Sequence, residues 1–504
     1  MPDTERTPPR VRVVVLNWNS WWFSRRCLRA LAETDYPADR YQVVLVDNAS
    51  VDGSLERLLH EFPDLQVVRN EVNLGFAEGC NRAMRDLDHV DMVALVNNDA
   101  MVEPGWLAAM ADALDGHPGA GAAAARLVLE PAFVRLSVEV HGAPVQVRSV
   151  SVDGVDATSR TRFGGAARSE GRIEWPMELE HVLDGPAEVL VPVGEGEHEV
   201  AVELAGPAEV TLRCGDRSSE TLQAGGADGA DLQLRVQSND VRIELLNGLG
   251  TERNQVGESY DRHFGEPSDP EAVPELAGPP IEVTGFSGGG VLLRTEVLAE
   301  VGLFDPRFFA YYEDSDLSWR SARAGWTTVT APGAVIRHAF GGSGGSRAPG
   351  FFFLNYRNWL LTVVRNAEPA LRRAAWASAR ERVRWAVRAN VASPLKHRRA
   401  PSWDLVVAWL RTLAGVAAVR LAARRDRSTL PGAQPTGSVV AAFQPEFSPR
   451  GPSRRPGGPT LVALDVGPES SQRQGRGDTG VAGRFLAALA TADLSLDVVA
   501  VRAT

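Results

Sequence analysis

The run DMVALVNNDA, Asp91 to Ala100, decides the fold. An apolar stretch, Met92 to Val96, stops abruptly at Asn97-Asn98-Asp99. A short apolar run without alternation reads as a strand covered on both faces of a parallel sheet. Open α/β sheets bind ligands beyond the carboxyl ends of such strands. Asp99 therefore stands where a ligand would sit. A carboxylate and amides facing a diphosphate suit a hard divalent cation, which takes oxygen ligands and keeps phosphates in its shell. Taken alone, the same strand end also reads as an ordinary loop.

Working outward, VVLVDNAS, Val43 to Ser50, repeats the pattern and ends in Asp47 and Asn48. Asp52-Gly53-Ser54 follows, which predicts Ser54 as the cap of a helix starting near Leu55. Two such strand ends in one βαβ layer form a crevice, and a carboxylate at Asp47 can accept the N–H of a uracil or thymine ring. The alternative is two unrelated turns with local Asn/Asp hydrogen bonding. A third block, NLGFAEGCN (Asn73 to Asn81), offers close backbone approach at Gly75 and Gly79, with Asn81 on the following helix. It lacks the GxGxxG spacing of a dinucleotide site and the GK[ST] ending of a phosphate loop, which argues against a redox enzyme and an NTPase.

Far downstream lies FDPRFFAYYEDSDLSWR, Phe304 to Arg320. Glu313 and Asp314 follow a dense aromatic run, and Asp316 is placed to open or cap a helix. Aromatic walls lower the local dielectric and raise a carboxylate pKa, which suits a general base. An acid-rich helix start, favoured by the macrodipole, is the competing reading.

Together these blocks resemble the family 2 inverting glycosyltransferases of GT-A fold, nearest the bacterial rhamnosyltransferase-like branch. The likeness is carried by LNWN (Leu16 to Asn19), VDNASVDGS (Val46 to Ser54), NLGFAEGCN, VNNDA, the block Gly285 to Arg320, and RHAFGGSGG (Arg337 to Gly345). They keep the family's order across residues 11–130 and 281–366, about two-fifths of the chain. The resemblance implies that Asp47 recognises the base of a nucleotide-diphospho-sugar donor. It places Asn17, Asn48, Asn73, Gly75, Asn81 and Asn98 around that nucleotide. Asp99 matches the last acid of a DxD-type metal motif whose first position is Asn97 here. His338 matches a late histidine that completes the metal shell in some relatives. The implied cofactor is Mn²⁺ or Mg²⁺, imidazole favouring Mn²⁺. Asp314 matches the catalytic base, with Glu313 beside it, and Gly288, Gly289 and Tyr312 fall on the acceptor side. The implied acceptor is a glycan or polyprenyl-linked glycan of the cell envelope.

Composition agrees with an enzyme of that class. At 504 residues, two or three domains are expected. A formal charge of −11 disfavours nucleic acid. Cys27, Cys80 and Cys214 show neither metal spacing nor a disulfide framework, which fits a reducing cytoplasm. The N-terminus, MPDTERTPPR, has no apolar core of a signal peptide.

The expected architecture is α/β: a GT-A domain with an inserted antiparallel β-sandwich and a helical C-terminal extension. The donor-binding half spans 11–132. Residues 133–245 alternate apolar and polar side chains between regularly spaced turns (LSVEVHG, HEVAVEL, LQLRVQ), the pattern of a sandwich. That insert reads as a spacer or a carbohydrate-binding module. The acceptor half spans 246–350, and the loop from NGLG at Asn247 onward is expected near the acceptor.

Residues 351–430 hold sixteen Lys/Arg against four Asp/Glu by direct count, among Trp, Phe and Leu. They read as basic amphipathic helices lying on the inner, anionic membrane leaflet, or as helices packed on the catalytic domain. Residues 431–458 read as a disordered linker. Residues 459–504 read as one βαβ unit of a second domain, truncated or docked elsewhere. Two rival functions remain, a nucleotidyltransferase of similar fold and an inactive glycan-binding module. The first lacks a basic glycine-rich loop near LNWNSWW, and the second sits poorly with an intact Asp47, Asp99, Asp314 and His338.

Overall fold

The computed structural model describes residues 7–171, 179–218, 222–224, 230–339, 349–397, 400, 401 and 403–425. The expected linker at 431–458 and the unit at 459–504 lie outside the described residues.

The chain opens β1 (Val11–Asn17), α1 (Trp21–Ala32), β2 (Tyr41–Asp47), α2 (Ser54–Glu61), β3 (Gln66–Arg69), α3 (Gly75–Met84), β4 (Met92–Val96), β5 (Ala100–Val102), α4 (Trp106–Asp115) and β6 (Ala120–Leu129). The strands β3, β2, β1 and β4 run side by side and parallel, so β1, β2 and β4 all end at one edge of the layer. Strand Gly290–Arg294, followed by α5 (Thr295–Val301), slots antiparallel between β4 and β6, and strand Thr327–His338 runs parallel to β6 on its far side. That strand then turns back against β5, pairing His338 with Ala100. The result is one ten-stranded mixed sheet.

Strand period explains the two cores. Val13 and Val15 point to one face, where Leu28 and Leu31 of α1, Leu58 of α2 and Trp106 of α4 cover them. Val14 points to the other, under Ala77 and Cys80 of α3 and Leu317 of α6 (Glu313–Arg323). All five residues of β4 are buried, as the unbroken apolar run predicts. The fold is a mixed α/β layer with helices on both faces of the sheet.

The inserted segment forms an eleven-stranded sheet, antiparallel wherever its strands pair, with a separate core of Val134, Leu136, Val189, Val202 and Leu234. Strand Ala230–Gln237 comes back against Ala208–Cys214, so the sheet curls around that core instead of splitting into two independent layers. The chain leaves β6 into the insert at Phe133 and returns at Leu246–Leu249, which pairs with β6. The insert therefore hangs from the last strand before the acceptor half.

Helices α7 (Pro349–Asn366), α8 (Pro369–Val387) and Asp404–Arg425 pack with Phe308 and Trp319 in a fourth core. Phe352, Trp359 and Trp409 are buried there. This corrects one side of the amphipathic reading: those aromatics serve protein packing, not a lipid surface. Among the described residues, no helix is long and apolar enough to cross a membrane.

Candidate active site

The ends of β1, β2 and β4 carry one buried polar network. Asn17 Nδ2 lies 3.0 Å from Asp47 Oδ1, Ser50 Oγ and Ser54 Oγ. Ser24 Oγ donates to Asn17 Oδ1 at 2.7 Å, and Asn98 Nδ2 donates to Ser24 Oγ at 3.1 Å. The other oxygen of Asp47 accepts the Ser50 amide at 3.1 Å. Asn17 is fully buried, so it shapes and holds Asp47 from beneath. The helix-cap expectation for Ser54 fails. Ser54 is the first residue inside α2, its hydroxyl is turned to Asn17, and Gly53 takes the cap position at φ 75°. A network linking three strand ends outweighed one local cap.

The asparagines after β2 have structural duties. Asn48 Nδ2 donates to Asn73 Oδ1 (2.8 Å) and Gly75 O (3.0 Å). Its Oδ1 accepts from Asn70 (3.1 Å) and Leu74 N (3.0 Å). All four hydrogen-bonding positions of that amide are thus used inside the protein. Asn81 Nδ2 donates to Phe304 O at 2.8 Å while its Oδ1 accepts Phe304 N at 3.1 Å. A Cβ on Gly75, which sits at φ +75°, would come 2.4 Å from Phe309 O. These residues dock the 70–81 segment onto the 304–309 loop. Asn48 and Asn81 are corrected from nucleotide contacts to scaffold, since buried amides spent on backbone have nothing left for a ligand.

The metal-type residues converge. His338 Nε2 lies 3.1 Å from Asp99 Oδ1 and 3.4 Å from Asn97 Nδ2. The two side chains come from ends of adjacent strands, joined also by Ala339 N donating to Asp99 O at 2.9 Å. Among the described residues, no group of three His, Cys, Asp or Glu side chains gathers to hold an ion. A carboxylate and an imidazole with the diphosphate of a donor nevertheless suit a divalent cation, which often takes one or two protein ligands plus substrate phosphates. The residues therefore fit Mn²⁺ or Mg²⁺ completed by substrate.

Asp314 is linked to the end of β4 through a glycine turn. Its Oδ2 accepts Gly288 N at 2.9 Å, and its Oδ1 accepts Ser315 N at 2.6 Å and Ser315 Oγ at 3.3 Å. Gly289 O accepts Asn97 N at 3.4 Å, so the Gly288-Gly289 turn ties Asp314 to the end of β4. Burial raises the Asp314 pKa, and its hydrogen bonds hold the rise in check. Glu313 differs. Its side chain is buried, Oε2 has no partner among the described residues, and burial with the Asp314 charge pushes its pKa far up. The expectation that Glu313 shares the catalytic work is corrected: its buried side chain faces the core near Cys80 and not the Gly288 turn. Tyr312 is corrected too, because it packs into the fourth core. Its neighbour Tyr311 lies near Asp99, whose charge, after burial and Glu313, helps push the phenol up to about 12.

Two residues of this site escaped the sequence reading. Asn247 Oδ1 lies 2.6 Å from His338 Nδ1, and Asn247 Nδ2 donates to Asp261 Oδ2 at 3.2 Å. Burial, then the Asp314 charge, pushes the Asp261 carboxyl up to about 7. No motif marks either residue. The one hint was the NGLG stretch returning from the insert.

Residues 12–135 match the model of glycosyl transferase family 2, and residues 280–387 match that of the glycosyltransferase-like family 2. The two matches fall on segments that carry the two halves of the ten-stranded sheet, and these segments are similar to family 2 glycosyltransferases. The likeness is to the rhamnosyltransferase-like members. The N-acetylglucosaminyl-diphospho-decaprenol L-rhamnosyltransferase of Mycobacterium tuberculosis, in strains CDC 1551 and H37Rv, is 43% identical over 53 residues. That match covers 10% of this chain and only 17% of the relative's length. Among solved structures, GalNAc-T7 with UDP, GalNAc and Mn²⁺ is similar at 12% identity and TM-score 0.42, covering 76% of this chain and 51% of that one. The mannosyltransferase PcManGT from Pyrobaculum calidifontis, with GDP-Man and Mn²⁺, is similar at 16% identity and TM-score 0.36, covering 84% and 82%. S. aureus TarS 1–349 is similar at 11% identity and TM-score 0.37, covering 83% and 92%.

Proposed function

We propose that the protein is an inverting glycosyltransferase that moves a sugar from a nucleotide-diphospho-sugar to a hydroxyl of a glycan or lipid-linked glycan. One observation carries the reading: the Asp314 carboxylate is anchored by the Gly288-Gly289 turn to Asn97 at the end of β4, two residues before Asp99, which lies 3.1 Å from His338. A base and an ion-type pair thus share one crevice. Asp47 faces the nucleotide base, held by Asn17 and Ser50. Asp99 and His338 would hold Mn²⁺ or Mg²⁺, which when bound supplies Lewis-acid neutralisation of the diphosphate. Asp314 takes the proton of the acceptor hydroxyl as that oxygen attacks the anomeric carbon opposite the nucleotide. Its raised pKa brings it nearer the operating pH of a base.

Donors are UDP- or dTDP-linked sugars, dTDP-rhamnose among them. A polyprenyl-linked acceptor is supported by the name of the mycobacterial relative and by the surface of the helical extension. There Arg380 and Arg384 of α8 and Arg388 just after it are exposed, as are Leu395, Trp403 and Leu410 of the same extension. Such a patch suits peripheral contact with the anionic cytoplasmic leaflet.

The test is release of nucleoside diphosphate from a panel of nucleotide sugars with Mn²⁺, with and without a polyprenyl-diphosphate glycan. Metal-dependent release stimulated by acceptor supports transfer. Binding without turnover of any donor would point instead to an inactive glycan-binding module.

A further inference from the structure

An imidazole serves as a ligand only through a nitrogen that carries no proton. In neutral histidine one ring nitrogen donates and the other accepts. Beside a carboxylate, the default is Nε2–H donating to Asp99 Oδ1, 3.1 Å away, which occupies both groups with each other.

The structure contains a device against that default. Asn247, 2% exposed, sets its Oδ1 2.6 Å from His338 Nδ1. A carbonyl oxygen only accepts, so Nδ1 carries a proton, and in the neutral ring Nε2 then turns its lone pair toward Asp99 and Asn97. The amide cannot be reversed freely. Its Nδ2 lies 3.2 Å from Asp261 Oδ2, and a flipped Asn247 would set oxygen against that carboxylate. Asp261 ends the strand Ser259–Asp261, which pairs with Thr251–Arg253. Gly248 admits it: a Cβ there would stand 3.0 Å from the Asp261 Cβ. The glycine after Asn247 thus makes room for the residue that orients Asn247.

We propose that Asn247 is a positioning residue that fixes the His338 ring with its proton on Nδ1, and that Asp261 fixes Asn247. The inference rests on the Asp99–His338 pair as the metal-holding pair. Outer partners of this kind set ring orientation and ligand basicity, and their loss costs roughly 10–100-fold in metal affinity.

The test uses the full chain, ¹⁵N-labelled at histidine and metal-free, at about pH 8, above the ordinary histidine range. Ring ¹⁵N shifts report the tautomer, with His338 assigned by its loss in His338→Gln. The wild type is expected as Nδ1–H. Asn247→Leu and Asp261→Leu are expected to move it toward Nε2–H and to weaken Mn²⁺ binding, measured with Mn²⁺ alone, by roughly 10–100-fold. Asp261→Asn keeps an acceptor for Asn247 and should hold the Nδ1–H form. An Nε2–H wild type overturns the proposal even if no variant folds. So does a folded Asn247→Leu protein with unchanged tautomer and Mn²⁺ affinity. The tautomer readout needs no metal. A wild type that keeps Nδ1–H but binds no Mn²⁺ sinks the metal reading while upholding control of the ring by Asn247.

Discussion

Replacing Asp314 by Asn keeps the shape of the side chain and removes its basicity. General base catalysis contributes roughly 10²–10⁴-fold, or about 3–5 kcal/mol at ~1.4 kcal/mol per tenfold. Turnover should fall by that factor. Donor affinity should change little, because the partners of Asp314 are Gly288 and Ser315, whereas Asp47 hangs on Asn17 and Ser50. A second, smaller effect follows from geometry. Each Asp314 oxygen accepts a backbone N–H, and an amide has one oxygen for the two. One buried N–H is left facing an NH₂ group, at a cost of about 1–3 kcal/mol in stability. The pH profile supplies an independent check. The folded Asp314 pKa lies above the ordinary carboxylate range, so the acid limb of kcat/KM should lie above it too. The assay is steady-state kinetics against pH, with donor affinity from isothermal titration and a thermal melt for each protein. If donor affinity falls as far as turnover, Asp314 binds the donor and is not the base.

The remaining predictions are briefer. Asp99→Ala should abolish Mn²⁺-dependent nucleotide binding in calorimetry, and retained affinity would remove Asp99 from the metal pair. Burial and the Asp314 charge raise the folded pKa of Glu313 above its unfolded one. Its stabilising share is full below the unfolded value and is lost as pH rises. Glu313→Gln should therefore flatten the decline of Tm as pH rises above the ordinary carboxylate range, and parallel curves would contradict the assignment. Asn358 Nδ2 lies 2.7–2.9 Å from the carbonyls of Phe308, Ala310 and Tyr311, so it braces a turn where Phe309, Tyr311 and Tyr312 all hold positive φ. Asn358→Leu should cost about 1–3 kcal/mol per orphaned carbonyl and slow turnover together, readable by melts and kcat. Charge reversal at Arg380, Arg384 and Arg388 should abolish flotation with anionic liposomes, each residue contributing about 1 kcal/mol; equal flotation would refute the docking surface.

How much was legible beforehand depends on the range of the interaction. The strand ends bearing Asn17, Asp47 and Asp99 could be read directly. An apolar run that stops at Asn or Asp reflects backbone period and burial, which the local residues determine. The acidic opening of α6 was legible for the same reason, down to Asp314 near its first turn. Alternation predicted the inserted antiparallel sheet, though not its curl, which comes from strand Ala230–Gln237 returning to Ala208–Cys214.

Tertiary structure decided what each polar side chain does once placed. Glu313 and Asp314 are neighbours of one chemical type, yet one faces the core and the other the Gly288 turn. Asn48 and Asn81 look like ligand contacts in a motif and are consumed by backbone carbonyls and amides instead. The aromatics of α7 and of Asp404–Arg425 looked fit for lipid, and Phe308 and Trp319 of the catalytic half covered them. Asn247 was legible only as the start of a returning loop, not as a partner of His338. Its meaning lies in His338, 91 residues on, and an asparagine leaves no local trace of a distant partner. Periodicity records which face of an element is dry. Hydrogen-bond partners are set by which elements meet, and only the folded chain brings β6, the insert's return strand and the strand of His338 together.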